Sequence, residues 1–397
     1  MSEKHAAFHT LEEFGMLLSR NACQYIRPDV CLCKYCTTIQ PIFQQNFAAV
    51  ALVASDEYAP FASVVVASII ANASLDHNYD IVVLTNDMLQ RNRWRIEHQS
   101  EGHDNISVRV LDISKMIENF SFYTWAHFTS NTYYRLLTPD VFSLYEKVVY
   151  LDSDIVVNRD IYELFELDLQ DYYLAAAFDT HVVSYCTQTP PLEQRAYNIK
   201  QLGMENPELY FQAGVSLFNV KALRRDFEEG YLIKQGVSHK LRWLDQDLLN
   251  MLFYGKILRL PNQWNVMVSN EPQNLDEFHL PTTLRTEYYE ARRNPYVVHY
   301  VGRSMPCYTT HPDLFEYFWK YARMTEFYEI LIQRMAIDYA EKLAESVRIQ
   351  MRNELGRPSL MQRAKKAVRS FADILLPKGS KRRTYVKRFF FSFKKWH

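Results

Sequence analysis

The residues best placed to do chemistry are Asp152-Ser153-Asp154, which follow the apolar run Lys147–Leu151 (KVVYL) and precede Ile155 and Val156. In an extended segment, side chains two apart project to the same side, so both carboxylates can converge on one cation. Oxygen ligands suit Mg2+ or Mn2+, and a diphosphate oxygen could complete the shell. The plainer reading is a solvated turn in which Asp ends a strand. Apolar neighbours on both sides weigh against it, because unpaired carboxylates at the edge of a core are costly and a cation between them removes their repulsion. Two further acidic positions stand out. Asp179 closes the run Leu174–Phe178 (LAAAF), where a strand-end Asp ordinarily caps a turn. Asp245-Gln246-Asp247 opens a helical stretch, Leu244–Phe253, where acids are favoured by the positive end of the helix dipole.

These groups need a frame, and the sequence provides one. Ala48–Ala54 (AAVALVA) reads as a strand buried on both faces, Asp80–Thr85 (DIVVLT) as a second buried strand and Ile106–Ile113 as a third strand, separated by an apolar helix over Ala59–Ala73 and a polar helix ending near His98. Strand–helix alternation with short connections predicts a mostly parallel sheet flanked by helices, an α/β fold. Ligands of such sheets bind beyond the carboxyl ends of the strands, where Asp152, Asp154 and Asp179 fall. Val215–Val220 is expected to return to the sheet, Val297–Val301 to form another strand, and Pro312 to about Gly356 to be helical. The polar stretch His181–Pro207, with Pro190-Pro191, reads as a loop or lid.

Composition narrows the function. Of 397 residues, 48% are apolar and 23% charged, the balance of a globular protein. Only 10 are glycine, and the closest pair, Gly230 and Gly236, lies six apart, so neither a G-x-G-x-x-G fingerprint nor a Walker A loop is present. A nucleotide must therefore be held by another device. No run of 18 apolar residues suits a membrane span, and Glu3, Lys4, Glu12 and Glu13 occupy the place of a signal peptide's apolar stretch, so a cytoplasmic protein is expected. Cys23, Cys31, Cys33 and Cys36 could form a zinc site, but only one C-x2-C knuckle is present. Small buried side chains in a helical N-terminal extension are the expectation for them.

In its ordered set of segments the chain resembles glycosyltransferase family 8, retaining enzymes that use nucleotide sugars, and within it the bacterial lipopolysaccharide galactosyl- and glucosyltransferases. The resemblance runs from Asn46 to Met305. Ala54-Ser55-Asp56-Glu57-Tyr58 is similar to the loop that holds the uracil, with Tyr58 stacking on the base. Asn131-Thr132-Tyr133-Tyr134-Arg135-Leu136 is similar to a helix whose arginine approaches the donor. Tyr150-Leu151-Asp152-Ser153-Asp154 resembles the metal-binding strand end, Phe211-Gln212-Ala213-Gly214-Val215 a donor-fixing segment, and His299-Tyr300-Val301-Gly302 a segment carrying a further metal ligand. The resemblance implies a GT-A-type fold and Mn2+, with Mg2+ as the alternative, held by Asp152, Asp154 and His299. It places Ala54, Ser55, Asp56, Tyr58, Arg135, Ser153, Gln212, Ala213, Gly302 and Arg303 at the donor. It gives Gln246, Asp245 and Asp179 catalytic roles: Gln246 under the anomeric carbon, Asp245 and Asp179 on sugar hydroxyls or the acceptor. His127 falls where the family has a histidine near the diphosphate.

Two positions depart from the family pattern. Met305-Pro306-Cys307 stands where Lys-Pro-Trp is common, with Arg303 as a replacement cation, and Gln212 stands where Asn is common. A third feature is the charge distribution. From Arg352 to His397 there are 14 Lys/Arg against two acids, a local +12 that leaves −13 for the rest. Interleaved with Phe371, Tyr385, Phe389, Phe390, Phe391, Phe393 and Trp396, this tail has the composition of a segment lying on an anionic bilayer. Nucleic acid is the weaker candidate for the same surface.

The expected organisation is an N-terminal extension (1–45), a GT-A domain (46–310), a helical region (311–356) and a basic aromatic tail (357–397). The expected activity is transfer of glucose or galactose from a UDP-sugar to a saccharide or glycolipid, at the inner face of the cell membrane. The alternative is a transferase fold that binds a sugar nucleotide or glycolipid without turnover.

Overall fold

The computed structural model describes residues 38–125, 129–188, 193–268, 279–302, 304–309 and 313–354. The Cys23–Cys36 cluster, His127, Arg303 and the basic tail lie outside the described residues.

Strands β1 (Phe47–Val53), β2 (Asn78–Thr85) and β3 (Ile106–Asp112) form parallel pairs joined by helices α1 (Ala59–Asn72) and α2 (Gln90–Glu97). The chain then crosses to the other side of β1, where β4 (Lys147–Leu151) pairs in parallel with it. Beyond β4 lie β7 (Phe211–Asn219), antiparallel to β4, then β6 (Leu174–Phe178) and β8 (Ile257–Arg259), giving the seven-stranded order β3-β2-β1-β4-β7-β6-β8. The strand order reverses at β1, with β2 and β3 added on one side and β4 on the other, and this opens a crevice at the carboxyl ends of β1 and β4, the usual ligand site of such sheets. A smaller sheet of β5 (Ile155–Val157), β10 (Val297–Tyr300) and β9 (Val266–Val268) starts three residues after Asp152 and brings His299 opposite Ile155.

Alternation along β1 shows why its sequence is apolar throughout. Ala48, Val50 and Leu52 join one core with α1, while Ala49, Ala51 and Val53 join the core on the other face with Tyr133, Leu136 and Leu248. Helix α1 is apolar on nearly all sides because a second layer covers it: its Phe61 and Val64 pack with Tyr300, Met305 and Phe318, the last from a helix over Phe315–Ala322.

The expected lid between His181 and Pro207 is instead two short helices, α3 (Thr180–Thr187) and α4 (Glu193–Lys200). Polar residues mask their periodicity: Gln194 and Asn198 are buried and hydrogen-bonded to each other at 2.7 Å. Cys186 and Cys307 are both buried.

By its packing the chain divides into a compact unit that runs to Ala336 and a second from Ile337 on. In the second unit the closing turns of helix Tyr328–Glu354 expose Ile337, Tyr339, Leu343, Val347, Ile349 and Met351. Among the described residues no helix is long and apolar enough to cross a membrane.

Candidate active site

The carboxyl end of β4 delivers Asp152 into the crevice, and Ser153 anchors the turn by donating to the Val53 carbonyl of β1 at 2.6 Å. Asp154 follows, and its backbone carbonyl accepts from Tyr300 N at 2.9 Å, which ties it to β10. The side chains of Asp152, Asp154 and His299 thereby offer ligand atoms that lie within 4.8 Å of one another. His299 Nε2 is 3.1 Å from Asp154 Oδ1 and 3.8 Å from Asp152 Oδ2.

The orientation of the imidazole follows from a chain of hydrogen bonds that starts at a backbone amide. Gly214 N–H can only donate, so the atom it meets at 2.6 Å is the Gln212 oxygen, Oε1. That oxygen also accepts from Asn265 Nδ2 at 2.6 Å, which turns Asn265 Oδ1 toward His299 Nδ1 at 3.0 Å. Nδ1 therefore carries a proton, and Nε2 is the atom left to face the carboxylates. Burial works against a charge on His299, but the charge and hydrogen bond of Asp154, with Asp152, outweigh it and raise the pKa. A bound cation would take the place of that proton.

The residues fit a divalent metal on two counts. Two carboxylates and an imidazole whose Nε2 is unblocked are a donor set suited to Mn2+ or Mg2+. Gly214 leaves the room: a Cβ there would sit 2.4 Å from His299 Cε1 and 2.5 Å from Asp152 Oδ2.

Arg135, from a tight 3-10 segment (Ser130–Leu137), is buried beside this centre. Its Nη2 lies 2.8 Å from Asp152 Oδ1 and its Nε 2.5 Å from Asp245 Oδ2, while its plane rests 4.7 Å from the centroid of Tyr150. Burial opposes its charge, and Asp152 and Asp245 overcome that and keep it protonated. The network is not closed: Arg135 Nη1 is buried with no hydrogen-bond partner among the described residues. Burial pushes Asp245 up to about 6, against the pull of Arg135 and a 2.8 Å hydrogen bond from Thr132.

The helix α5 (Leu244–Leu252) presents its three opening polar residues to different ends. Leu244 enters it at φ 47°, a left-handed conformation that a Leu adopts only at some cost. Asp245 turns to Arg135. Asp247 is fully enclosed and accepts from Tyr210, Tyr197 and Trp243 N, each at 2.7 Å, which secures the helix. Gln246 lies between them, its Oε1 accepting from Ala213 N at 3.0 Å and its Nε2 donating to Asp179 Oδ2 at 3.0 Å. Asp179 meanwhile caps α3 with Oδ1, accepting from His181 N and Val182 N. Its structural cap and its contact with Gln246 are thus both realised, one by each oxygen.

At the end of β1, Ala54 is buried and Tyr58 is 43% exposed, resting edge-on against Phe61 at 5.4 Å. Tyr58 is therefore a rim aromatic rather than a core one. Asp56 is partly committed to structure, with Oδ1 accepting from Leu89 N and Asn92 Nδ2 at the start of α2. Gly302 turns away at φ 67° directly after β10. Met305 is 3% exposed and belongs to the apolar layer over α1. Thr132 and Tyr150 stand within segments that carry the resemblance but have no role assigned from sequence, and Asn265 is not marked by sequence at all. Asn265 arrives only because β9 pairs in parallel with β10 and sets Met267 opposite His299; no spacing in the chain announces that.

Comparison with known proteins bears on this arrangement. The sequence model of Glycosyl transferase family 8 matches residues 49–306. The apo structure of WbbM, a bifunctional glycosyltransferase, superposes with a TM-score of 0.67 at 32% identity, covering 75% of this chain and 53% of that one. The galactosyltransferase LgtC, in complex with donor and acceptor sugar analogs, gives a TM-score of 0.56 at 25% identity over 70% of this chain and 96% of its own. A lipopolysaccharide 1,2-glucosyltransferase of Escherichia coli is 30% identical over 181 residues, 44% of this chain and 48% of the relative. WbbM and the glucosyltransferase are thus spanned for about half their length, and LgtC for nearly all of it. These neighbours share the GT-A arrangement of a mostly parallel sheet flanked by helices.

Proposed function

The chain belongs to glycosyltransferase family 8, and on that premise we propose that it is a retaining transferase. It moves a glucosyl or galactosyl unit from a UDP-sugar to a saccharide or glycolipid such as lipopolysaccharide or another cell-surface glycan. The observation that carries this reading is the convergence of Asp152, Asp154 and His299 within 4.8 Å at the reversal point of the sheet.

Asp152, Asp154 and His299 would hold Mn2+ or Mg2+, which would supply Lewis-acid stabilisation of the charge on the departing diphosphate, so that a protonated general acid would not be required. The protein's own groups do the rest. Ala54, Ser55, Asp56 and Tyr58 line the base, with the exposed Tyr58 ring free to stack. Gln246 presents its amide oxygen to the positive charge that builds on the sugar. Asp179 and the Ala213 amide prevent that amide from turning, because each end of it is already hydrogen-bonded. An amide oxygen is a poor nucleophile, which supports front-face attack by the acceptor with Gln246 as electrostatic support. Arg135 keeps Asp245 and Asp152 in place, and Gln212 holds the imidazole through Asn265.

The resemblance to a lipopolysaccharide glucosyltransferase and to LgtC supports the hexose and the glycan acceptor. Residues 46–310 then form the catalytic domain, 311–356 a helical region and 357–397 a tail that meets an anionic bilayer. The exposed apolar residues of the helix before the tail, from Ile337 to Met351, support the membrane reading.

The test is UDP release from a panel of UDP-sugars with Mn2+ and with chelator, with glycolipid acceptors added. Release from one donor that needs metal, with the product keeping the donor's anomeric configuration, is the expected result. No release across the panel at high protein concentration would leave a sugar-nucleotide-binding fold without turnover.

A further inference from the structure

The inference rests on the donor reading above and asks what meets the donor's charge. Asp152, Asp154 and Asp245 crowd the crevice, and the cation among them, Arg135, is engaged by Asp152 and Asp245. Among the described residues, which do not include Arg303, a divalent metal and Arg135 together balance those three carboxylates and leave the two negative charges of a diphosphate to be met. The segment after β10 adds no cation at its buried positions, since Met305 and Cys307 are 3% and 1% exposed within an apolar layer.

A guanidinium reaches the rim from elsewhere. The first turns of helix Tyr328–Glu354 lie over α1, where Leu331 shares a cluster with Phe61 and Tyr300. From the next turn, Arg334 extends across the Phe61 ring at 5.4 Å from its centroid, with Nη1 3.4 Å from Tyr308 Oη. Among the described residues it forms no ion pair. Phe61 in turn supports Tyr58, the exposed aromatic at the end of β1. The end of β1 that carries Tyr58 is tied to the Asp152–Asp154 turn by the Ser153 hydroxyl, which donates to the Val53 carbonyl at 2.6 Å.

We propose that Arg334 is a donor-binding residue whose guanidinium pairs with the diphosphate of the nucleotide sugar, across the Tyr58–Phe61 edge from the Asp152–Asp154–His299 centre. Arginine suits the task because its planar fork of donors matches phosphate oxygens and stays charged at any working pH. Resting on an aromatic face, it is pre-oriented without being neutralised by a carboxylate.

The test is binding of UDP and of uridine to the full chain in the presence of Mn2+, for the wild type, Arg334→Gln and Arg334→Lys. UDP is followed by calorimetry and uridine by ligand-observed NMR. Arg334→Gln should weaken UDP by about tenfold, with uridine unchanged and Arg334→Lys in between. UDP affinity that survives Arg334→Gln would overturn the proposal, as would an equal loss for UDP and uridine, which would make Arg334 a support for Tyr58 alone. A wild type that binds no UDP would overturn the donor reading itself, a different outcome from a failure confined to Arg334.

Discussion

Two arginines in this protein are equally buried, Arg109 and Arg135 each being 6% exposed, and each faces carboxylate, yet they are built differently. Arg109, on β3, meets Asp80 near the amino end of β2 with Nη2 2.8 and 2.7 Å from the two carboxylate oxygens. Its Nη1 donates to the Gln40 carbonyl at 3.2 Å, and Tyr145 Oη closes the group at 2.7 Å from Asp80 Oδ2. Arg135, at the carboxyl end, is shared between two acids and keeps a buried Nη1 without a hydrogen bond. A closed network fixes a structure; an open one retains buried polar capacity for a ligand or a water. The first clamps the segment entering the sheet, and the second waits at the crevice.

The comparison breaks most visibly at the open end. Asp154→Asn should remove metal-dependent transfer by about a thousandfold or more, with little change in melting temperature, as initial rates at saturating Mn2+ would show. The closed end should answer in stability instead. Asp80→Asn leaves the Arg109 charge buried without a counter-charge and should cost about 3–5 kcal/mol in denaturant unfolding, while KM for the donor stays unchanged in the folded fraction. Asn265→Ala sharpens the account of the imidazole: Mn2+ affinity should fall by about 10–100-fold, and Asn265→Asp, which still accepts from Nδ1, should recover part of it. The smallest effect concerns protons. Burial pushes Asp245 up to about 6, above its unfolded value of 3.8. A raised carboxyl pKa means that the stability it contributes is full below pH 3.8 and is lost as pH rises through about 6. Asp245→Asn should therefore flatten that decline in unfolding curves recorded between those two pH values.

Much of this was legible in the chain. The strands β1, β2 and β4 stood out because both of their faces are buried, which leaves nearly continuous apolar runs, and β3 followed from its place in the strand–helix alternation. Asp152 and Asp154 stood out because acids so close to such a run demand a reason, and His299 followed from the resemblance. Helices α3 and α4 were hidden by their own buried amides, Gln194 and Asn198, which interrupt the apolar period that would have revealed them. Asn265 was hidden for another reason. It reaches His299 through the parallel pairing of β9 and β10, a contact across 34 residues made by topology alone. Asp179 could be read as a cap or as a site residue; its Oδ1 makes the cap and its Oδ2 accepts from Gln246.

The central claim is that three side chains hold a divalent cation where the donor diphosphate arrives. Direct Mn2+ binding, followed by the loss of the free-ion electron paramagnetic resonance signal, tests it without requiring the right sugar or acceptor. The account predicts a single Mn2+ per chain, tighter when UDP is present and lost in His299→Ala and Asp154→Asn. Mn2+ binding that persists unchanged in both variants, or that is indifferent to UDP, would contradict it.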